Sequence, residues 1–238
     1  MRIATFNINS INKRYEIVRD LTISQNLDII CMQELKSINQ FELLNECFIS
    51  NQKQFNGVAT CSIYPINNST TIYPARAIYT KINNIDIINI YAPLGDLYEI
   101  KFEEKLNFYN TLIKFIQKLN SKNLILLGDF NIIHKNIDVY NHYEWEGNVT
   151  FLPEEREIMN NLLNLGLYDS FRELYPTKKD FSFFEYRDKN FNRGLRLDYI
   201  LVTKNILQNI NDIYIYHPSR KLTSPSDHIP VIMDFNDK

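Results

Sequence analysis

Apolar residues along this chain fall into two patterns, short continuous runs and helically spaced stripes, and the two alternate. Residues 2–8, 28–32, 58–63, 73–81, 85–91 and 124–127 read as strands, the last a four-aliphatic run of the kind buried on both faces of a sheet. Ile11, Tyr15, Val18 and Leu21 predict an amphipathic helix ending near Asn26. Phe102, Leu106, Tyr109, Ile113 and Ile116 predict a longer one, with Glu103, Glu104, Lys114 and Lys118 off its apolar face. Pro153-Glu154-Glu155 opens another, with proline in the first turn and acids at the positive end of the dipole; it carries Ile158, Leu162 and Leu165 inward and stops at Gly166. A short helix is expected at 40–48. Pro65, Asn67-Asn68 and Asn83-Asn84 mark turns, and Pro93 and Gly95 close the strand ending at Tyr91. The last third predicts strands at 181–186, 195–202, 210–216 and 229–235. With short loops and no Pro/Gly/Ser-rich linker, the expectation is one α/β domain over residues 1–238, two packed sheets flanked by helices.

Polar residues sit where these strands end. After the run 124–127 come Gly128, Asp129, Phe130 and Asn131. In extended backbone, positions i and i+2 share a side, so Asp129 and Asn131 project together and Phe130 turns away. Asn7, Glu34 and Tyr91 end or follow other strands, Asp198 lies inside the apolar stretch 194–201, and Asp227-His228 precedes the last strand. Each taken singly reads best as a cap, a turn or a structural histidine. Together they bring four carboxylates to strand-terminal positions, which at ~5 Å and an effective dielectric of ~20 repel by roughly 3 kcal/mol per pair. A hard divalent cation relieves that repulsion, and oxygen ligands favour magnesium or manganese over zinc. Asp227 and His228 are adjacent in extended backbone, so their side chains diverge; Asp198 is therefore expected to orient His228 and raise its pKa, while Asp227 faces the metal.

Composition narrows the reading. With 45% hydrophobic and 13% aromatic residues the chain can bury a sizeable core. A net charge of −2 offers no global basic field, so a polyanion would be met by local cations or a metal. No apolar run is long enough to span a bilayer, and no signal-peptide stretch opens the sequence. Cys31, Cys47 and Cys61 are odd in number and widely spaced, which predicts neither a disulfide nor a zinc site and fits a reducing intracellular compartment.

The segments 5–9 (Thr-Phe-Asn-Ile-Asn), 32–36 (Met-Gln-Glu-Leu-Lys), 91–93 (Tyr-Ala-Pro), 128–131 (Gly-Asp-Phe-Asn), 151–156 (Phe-Leu-Pro-Glu-Glu-Arg), 193–199 (Arg-Gly-Leu-Arg-Leu-Asp-Tyr) and 225–228 (Pro-Ser-Asp-His) resemble, in order and over nearly the whole chain, the exonuclease III-type apurinic/apyrimidinic (AP) endonucleases of the endonuclease/exonuclease/phosphatase superfamily. The resemblance implies a DNase I-like four-layer αββα sandwich of two mixed sheets. It implies Mg²⁺-dependent (or Mn²⁺-dependent) cleavage of double-stranded DNA 5′ to abasic sites, with repair of blocked 3′ ends or 3′→5′ exonuclease activity. By the same resemblance Glu34 is the principal metal ligand, with Asn7 and Asp227 beside it, and Asp129, Asn131 and His228 border the metal. Asp129 activates water, Asn131 orients a phosphate oxygen, Tyr91 contacts the phosphate or assists the leaving group, and His228 stabilises phosphoryl charge.

Further residues match the family's substrate contacts. Phe183, Leu195 and Leu197 correspond to the apolar pocket for an extruded abasic sugar, and Arg76, Lys101 and Lys105 to basic positions that touch phosphates; ordinary core packing and solvated surface charge are the plain alternatives. Two departures stand out. The 134–150 loop is short and carries Tyr140, Tyr143, Glu144, Trp145 and Glu146 with little basic charge, and Leu94 follows Pro93 where relatives often have a polar amide. A monomeric DNA-repair enzyme is the expectation. A phosphatase or sphingomyelinase of the same fold and a catalytically silent RNA-binding regulator are the alternatives, the last opposed by retention of Glu34, Asp129, Asp198, Asp227 and His228.

Overall fold

The computed structural model describes residues 1–238 except 38, 40, 52–55, 97–98, 189, 191 and 238. Its strands are β1 (Arg2–Asn7), β2 (Ile29–Gln33), β3 (Glu46–Ser50), β4 (Val58–Ser62), β5 (Ile66–Tyr73), β6 (Ala77–Ile82), β7 (Ile85–Tyr91), β8 (Leu124–Asp129), β9 (Leu167–Asp169), β10 (Phe183–Phe184), β11 (Gly194–Leu195), β12 (Asp198–Thr203), β13 (Ile210–Ile215) and β14 (Val231–Phe235). The main helices are α1 (Ile11–Ser24), α2 (Glu99–Leu119), α3 (His142–Trp145) and α4 (Pro153–Leu163). One six-stranded sheet runs β13-β14-β1-β2-β4-β3 and the other β5-β6-β7-β8-β12-β9. Each is mixed: β1 and β2 are parallel, as are β7 and β8, and their other neighbours are antiparallel.

Strand alternation builds four layers. Ile3, Ile29 and Cys31 of the first sheet meet Ile87, Ile125, Leu127 and Ile200 of the second in the central core. On the outer faces Ala4, Phe6, Ile30 and Met32 pack under Val18 and Leu21 of α1, while Ile88, Leu126 and Phe130 pack under Phe108 and Leu112 of α2 and Ile158 and Leu162 of α4. A polar bridge pins the sheets together: Gln33 Nε2 donates to Asn89 Oδ1 at 2.8 Å, and Asn89 Nδ2 donates to the Ala59 carbonyl at 2.9 Å. Gly128 cannot be replaced without displacing backbone, because a Cβ there would stand 2.0 Å from the Ile90 carbonyl oxygen and φ is +139°. The central strands β7 and β8 approach closely at that point.

Several expectations need correction. Residues 41–45 form no helix; the chain turns through them into β3, which pairs with β4. Strand 73–81 divides at a turn into β5 and β6, and Asn67-Asn68 lies within β5, an edge strand whose polar side chains face solvent. The strand expected at 195–202 divides at Arg196-Leu197, and 181–186 shrinks to two paired residues. Along α2 the buried stripe is Lys105, Phe108, Tyr109, Leu112 and Ile116, with Phe102, Leu106 and Ile113 on its flank. Cys47 and Cys61 are not free thiols. They stand opposite one another on β3 and β4, Cα atoms 4.1 Å apart, and are disulfide-bonded. The pairing withdraws the cysteine argument for a reducing compartment, since strand register, not sequence spacing, brings the two together; Cys31 stays buried and unpaired with another cysteine. Among the described residues no helix is long and apolar enough to cross a membrane.

Candidate active site

Register sets the site. Tyr91 is opposite Asp129 across β7 and β8, and Asp129 is opposite Asp198 across β8 and β12, so three polar residues stand in one row on the second sheet. On the first sheet Asn7 ends β1 beside Gln33, and Glu34 follows where the backbone turns off β2 with φ of 59°. Asp227 and His228 lie just before β14, tied to β10 through a bridge from Phe183 to His228 and the Phe184 N–H to the Asp227 carbonyl at 3.0 Å. Asn7, Glu34, Tyr91, Asp129, Asn131, Asp227 and His228 line one cavity of about 460 Å³, and Phe183, Leu195 and Leu197 form its apolar side.

Hydrogen bonds fix the orientation of each group. Asp129 is fully buried; its Oδ2 accepts from Asn7 Nδ2 at 2.9 Å and its Oδ1 from the Asn131 N–H at 2.9 Å. Asn131 lies past the strand end with φ of 49°, and its Nδ2 donates to the Ala92 carbonyl at 2.8 Å, so both side chains reach the cavity while Phe130 enters the outer core. His228 Nδ1 is 2.8 Å from Asp198 Oδ2, and its Nε2 is 3.7 Å from Asp129 Oδ2. Burial pushes the His228 imidazole down, but the Asp198 and Asp129 carboxylates outweigh it and hold the pKa above the ordinary range. Burial, with Asp198 adding to it, pushes Asp129 above the usual carboxylate range against the pull of His228 and Asn7. Burial also raises the Tyr91 phenol, helped by Glu34 and Asp129, so this group remains a proton-bearing donor at neutral pH. Asp227 turns from His228 and accepts from Asn9 Nδ2 at 3.1 Å.

Not every candidate reaches the cavity. Asp198 stands behind His228 instead of lining the wall. Arg76 stacks on Tyr91, 5.2 Å from its ring centroid, and donates to the Tyr91 carbonyl at 3.3 Å. Lys101 is exposed and paired with Asp96 at 2.9 Å. Lys105 cannot touch a phosphate: it is 0% exposed, and its ammonium is bound to the Asn131 carbonyl at 2.7 Å, the Leu94 carbonyl at 3.1 Å and Glu155. Its helical position on the packed stripe of α2 buries it.

Supporting residues were less visible in the sequence. Lys36 Nζ lies 2.5 Å from Glu34 Oε1 and donates to Asn9 Oδ1 at 2.7 Å, linking Glu34 through Asn9 to Asp227 on the first sheet's side of the cavity. Ser182 Oγ accepts from the Asp198 N–H at 3.0 Å and the Leu197 N–H at 3.2 Å, fixing the histidine's partner. Leu94, Trp145, Asn148, Val149, Thr150 and Glu185 complete the cavity wall. Of these the sequence pointed to Trp145, through the aromatic character of the 134–150 loop, to Leu94, beside Pro93, and to Lys36, within the segment 32–36.

The backbone between Leu195 and Asp198 sends alternate side chains to opposite sides. Leu195 and Leu197 face the cavity, and Arg196 enters a buried ionic cluster, bonding Asp138 at 2.8 and 3.0 Å and Asp169 at 3.2 and 2.7 Å; Arg172 also binds Asp138. Against the cost of its burial, Arg196 and Arg172 hold the Asp138 carboxyl down at about 2. Its folded pKa lies below the unfolded one, so the stabilisation is complete above the unfolded value near 4 and is lost as pH falls toward 2. Wild type should therefore exceed Asp138→Asn in urea-unfolding stability by a constant margin above pH 5, shrinking by about 2 kcal/mol by pH 2. An equal margin at pH 6 and pH 2 would remove the assignment.

The donor set fits a hard cation. Glu34, Asp129, Asp227 and the Asn7 amide present oxygens to a space whose described wall holds no lysine or arginine, so negative charge there exceeds positive. Asp129, Asp198 and His228 also offer ligand atoms within 4.8 Å of one another, but His228 is already committed between the two carboxylates.

Residues 4–228 match the model of the Endonuclease/Exonuclease/phosphatase family. Exodeoxyribonuclease III of Haemophilus influenzae is 32% identical over 99% of this chain and 100% of its own length. An AP endonuclease from Archaeoglobus fulgidus superposes with a TM-score of 0.93 at 30% identity, covering 99% of both chains. A 3′ phosphatase, NExo, from Neisseria, bound to a product DNA hairpin, superposes with a TM-score of 0.93 at 31% identity, again over 99% of each.

Proposed function

The chain belongs to the Endonuclease/Exonuclease/phosphatase family as an exonuclease III-type nuclease, and from that premise we propose that it cleaves double-stranded DNA 5′ to abasic sites and clears blocked 3′ ends. The reading is carried by one observation: oxygen ligands from both sheets share a cavity with an apolar recess of Phe183, Leu195 and Leu197. Acid groups suit the reaction, and the recess suits a sugar without its base.

Magnesium, with manganese as the alternative, is the cofactor of this reading, held by Glu34 with Asn7 and Asp227 beside it; when bound it supplies charge neutralisation at the phosphoryl group. The chain's own residues do the rest. Asp129, its carboxylate oriented by Asn7 and the Asn131 N–H and its pKa raised by burial, takes the proton of the attacking water. His228, kept protonated by Asp198, donates to a phosphoryl oxygen as charge grows there. Tyr91, a phenol at neutral pH, donates to the phosphate or the departing oxygen. Asn131 holds a second phosphoryl oxygen. Arg76 acts through Tyr91, on which it stacks, and Lys101 meets the backbone from the surface.

A labelled duplex carrying one abasic analogue tests the proposal. Incubation with Mg²⁺ should give a single incision product, and EDTA should abolish it. No incision by the wild type beyond that of Glu34→Ala sinks the reading.

A further inference from the structure

Asp227 is held from behind by side chains that do not line the cavity. Arg14, near the start of α1, is buried and reaches back past the helix N-terminus, the direction in which helical side chains lean. Its guanidinium donates to the carbonyls of Asn9, of Ser224 at 3.2 Å and of Pro225 at 2.9 Å, and to the Tyr186 phenol oxygen at 2.8 Å. These partners come from three separate strand ends: after β1, after β10 and before β14. Two of the carbonyls belong to residues with left-handed backbone, Asn9 with φ of 46° and Ser224 with φ of 57°. Non-glycine residues keep that conformation where surrounding contacts hold them in it.

From Tyr186 the connection runs to the acid. Asn9 Nδ2 donates to the Tyr186 oxygen and to Asp227 Oδ1, each at 3.1 Å, and the phenol donates on to the Pro225 carbonyl at 3.3 Å. Burial and Asp227 raise the Tyr186 phenol against the pull of Arg14, so it keeps the proton it gives to Pro225. Arg220 takes the next carbonyl of the same segment, that of Ser226, at 2.5 Å. Of all these residues only Asp227 lines the cavity, so the others reach the site through it.

Arg14 acts on a cation at Asp227 in two ways of opposite sign. Its charge repels one, and its hydrogen bonds hold in place the segment whose carboxylate binds one. The bonding favours the second effect, because the guanidinium spends its four hydrogen bonds on uncharged oxygens and leaves the Asp227 carboxylate to Asn9. We propose that Arg14 and Tyr186 are positioning residues that set the carboxylate of Asp227, and through it the affinity of the site for a divalent cation, without touching the cation. The inference rests on the metal assignment above and extends it to the groups behind the ligands.

Mn²⁺ titrated in the absence of DNA, with the free ion followed by electron paramagnetic resonance, tests this. Tyr186→Phe leaves every charge in place and removes one oxygen from a half-exposed residue, so the fold should stand. Its Mn²⁺ Kd should rise about tenfold, the lower end of the cost of losing a ligand's outer partner. Arg14→Met should weaken binding at least as much, and Arg14→Lys, with the charge but not the fork, should fall between Arg14→Met and wild type. For Tyr186→Phe, kcat on an abasic duplex at saturating Mg²⁺ should stay within about twofold, the loss appearing in the Mg²⁺ concentration for half-maximal rate. An unchanged Kd in Tyr186→Phe overturns the proposal, and this variant decides the matter if Arg14→Met does not fold. Tighter Mn²⁺ binding by Arg14→Met overturns it too, by making repulsion the dominant effect of the guanidinium. Glu34→Ala separates that failure from failure of the metal assignment: if it binds Mn²⁺ as wild type does, the assignment falls and this inference with it. With the metal responses as expected and no duplex cut, the DNA-cleaving reading falls and this inference stands.

Discussion

Asp129→Asn should reduce kcat for abasic-site incision by about 10³–10⁴-fold, the upper part of the range for losing a positioned proton acceptor, with KM nearly unchanged. The expectation comes from what the substitution leaves in place. An asparagine has the same shape, still accepts from the Asn131 N–H and no longer places a charge in a fully buried position. It loses the acceptor that faces Asn7 Nδ2 and the carboxylate 3.7 Å from His228 Nε2. Those losses and the relief from burying a charge oppose one another, so thermal stability should change by no more than about 1 kcal/mol. The kinetic effect is thus separable from folding. Retention of more than a tenth of the wild-type kcat would remove Asp129 from the role of base.

Lys105→Met should destabilise the fold by about 3–5 kcal/mol, read as a shift in the urea midpoint, because it strands Glu155 without a counter-charge in the interior. Both side chains of this pair are 0% exposed. Burial pushes the Lys105 ammonium down and the Glu155 carboxyl up, each opposed by the other's charge, which is how a pair behaves when neither member is tolerable alone. The ammonium also binds the carbonyls of Asn131 and Leu94, so the lesion reaches the cavity wall from behind. Adding Glu155→Gln removes the stranded charge, and the double variant should recover at least half of the loss. If the double variant is as unstable as the sum of the two single ones, the pair is not coupled and the account fails.

Much of the site was readable because strand ends are readable. A four-aliphatic run followed by Gly-Asp-Phe-Asn fixes where β8 stops and which way its polar residues face, and the opposition of Asp227 and His228 follows from period-two geometry alone. The pairing of His228 with Asp198 depends on the segment before β14 meeting the start of β12 across the two sheets, a contact that neither segment's own pattern contains. Lys105 was misplaced because a helical wheel records charge and not the carbonyls waiting above it. The short helix expected at 40–48 does not form over its described residues; Phe41, Leu43 and Leu44 pack as partly buried residues leading to β3, whose pairing is decided by β4. That long-range register also determines the Cys47–Cys61 bond. Asn67-Asn68 resembled a turn because an edge strand facing solvent can afford the same polar residues as a turn.

The N-terminal strand β1 is completed on one side by β14, with Arg2 opposite Asp234 and the amino terminus donating to the Phe235 carbonyl at 2.6 Å. During synthesis β1 is made well before that neighbour, since Arg2 and Asp234 lie 232 positions apart in the chain. Asn7 and Glu34 are made before Asp129, and Asp227 and His228 after it. A nascent chain therefore exposes its first acids without the histidine that completes the site. Such long-range pairing raises contact order and slows folding, and it delays completion of the site until the segment carrying Asp227 and His228 has been made.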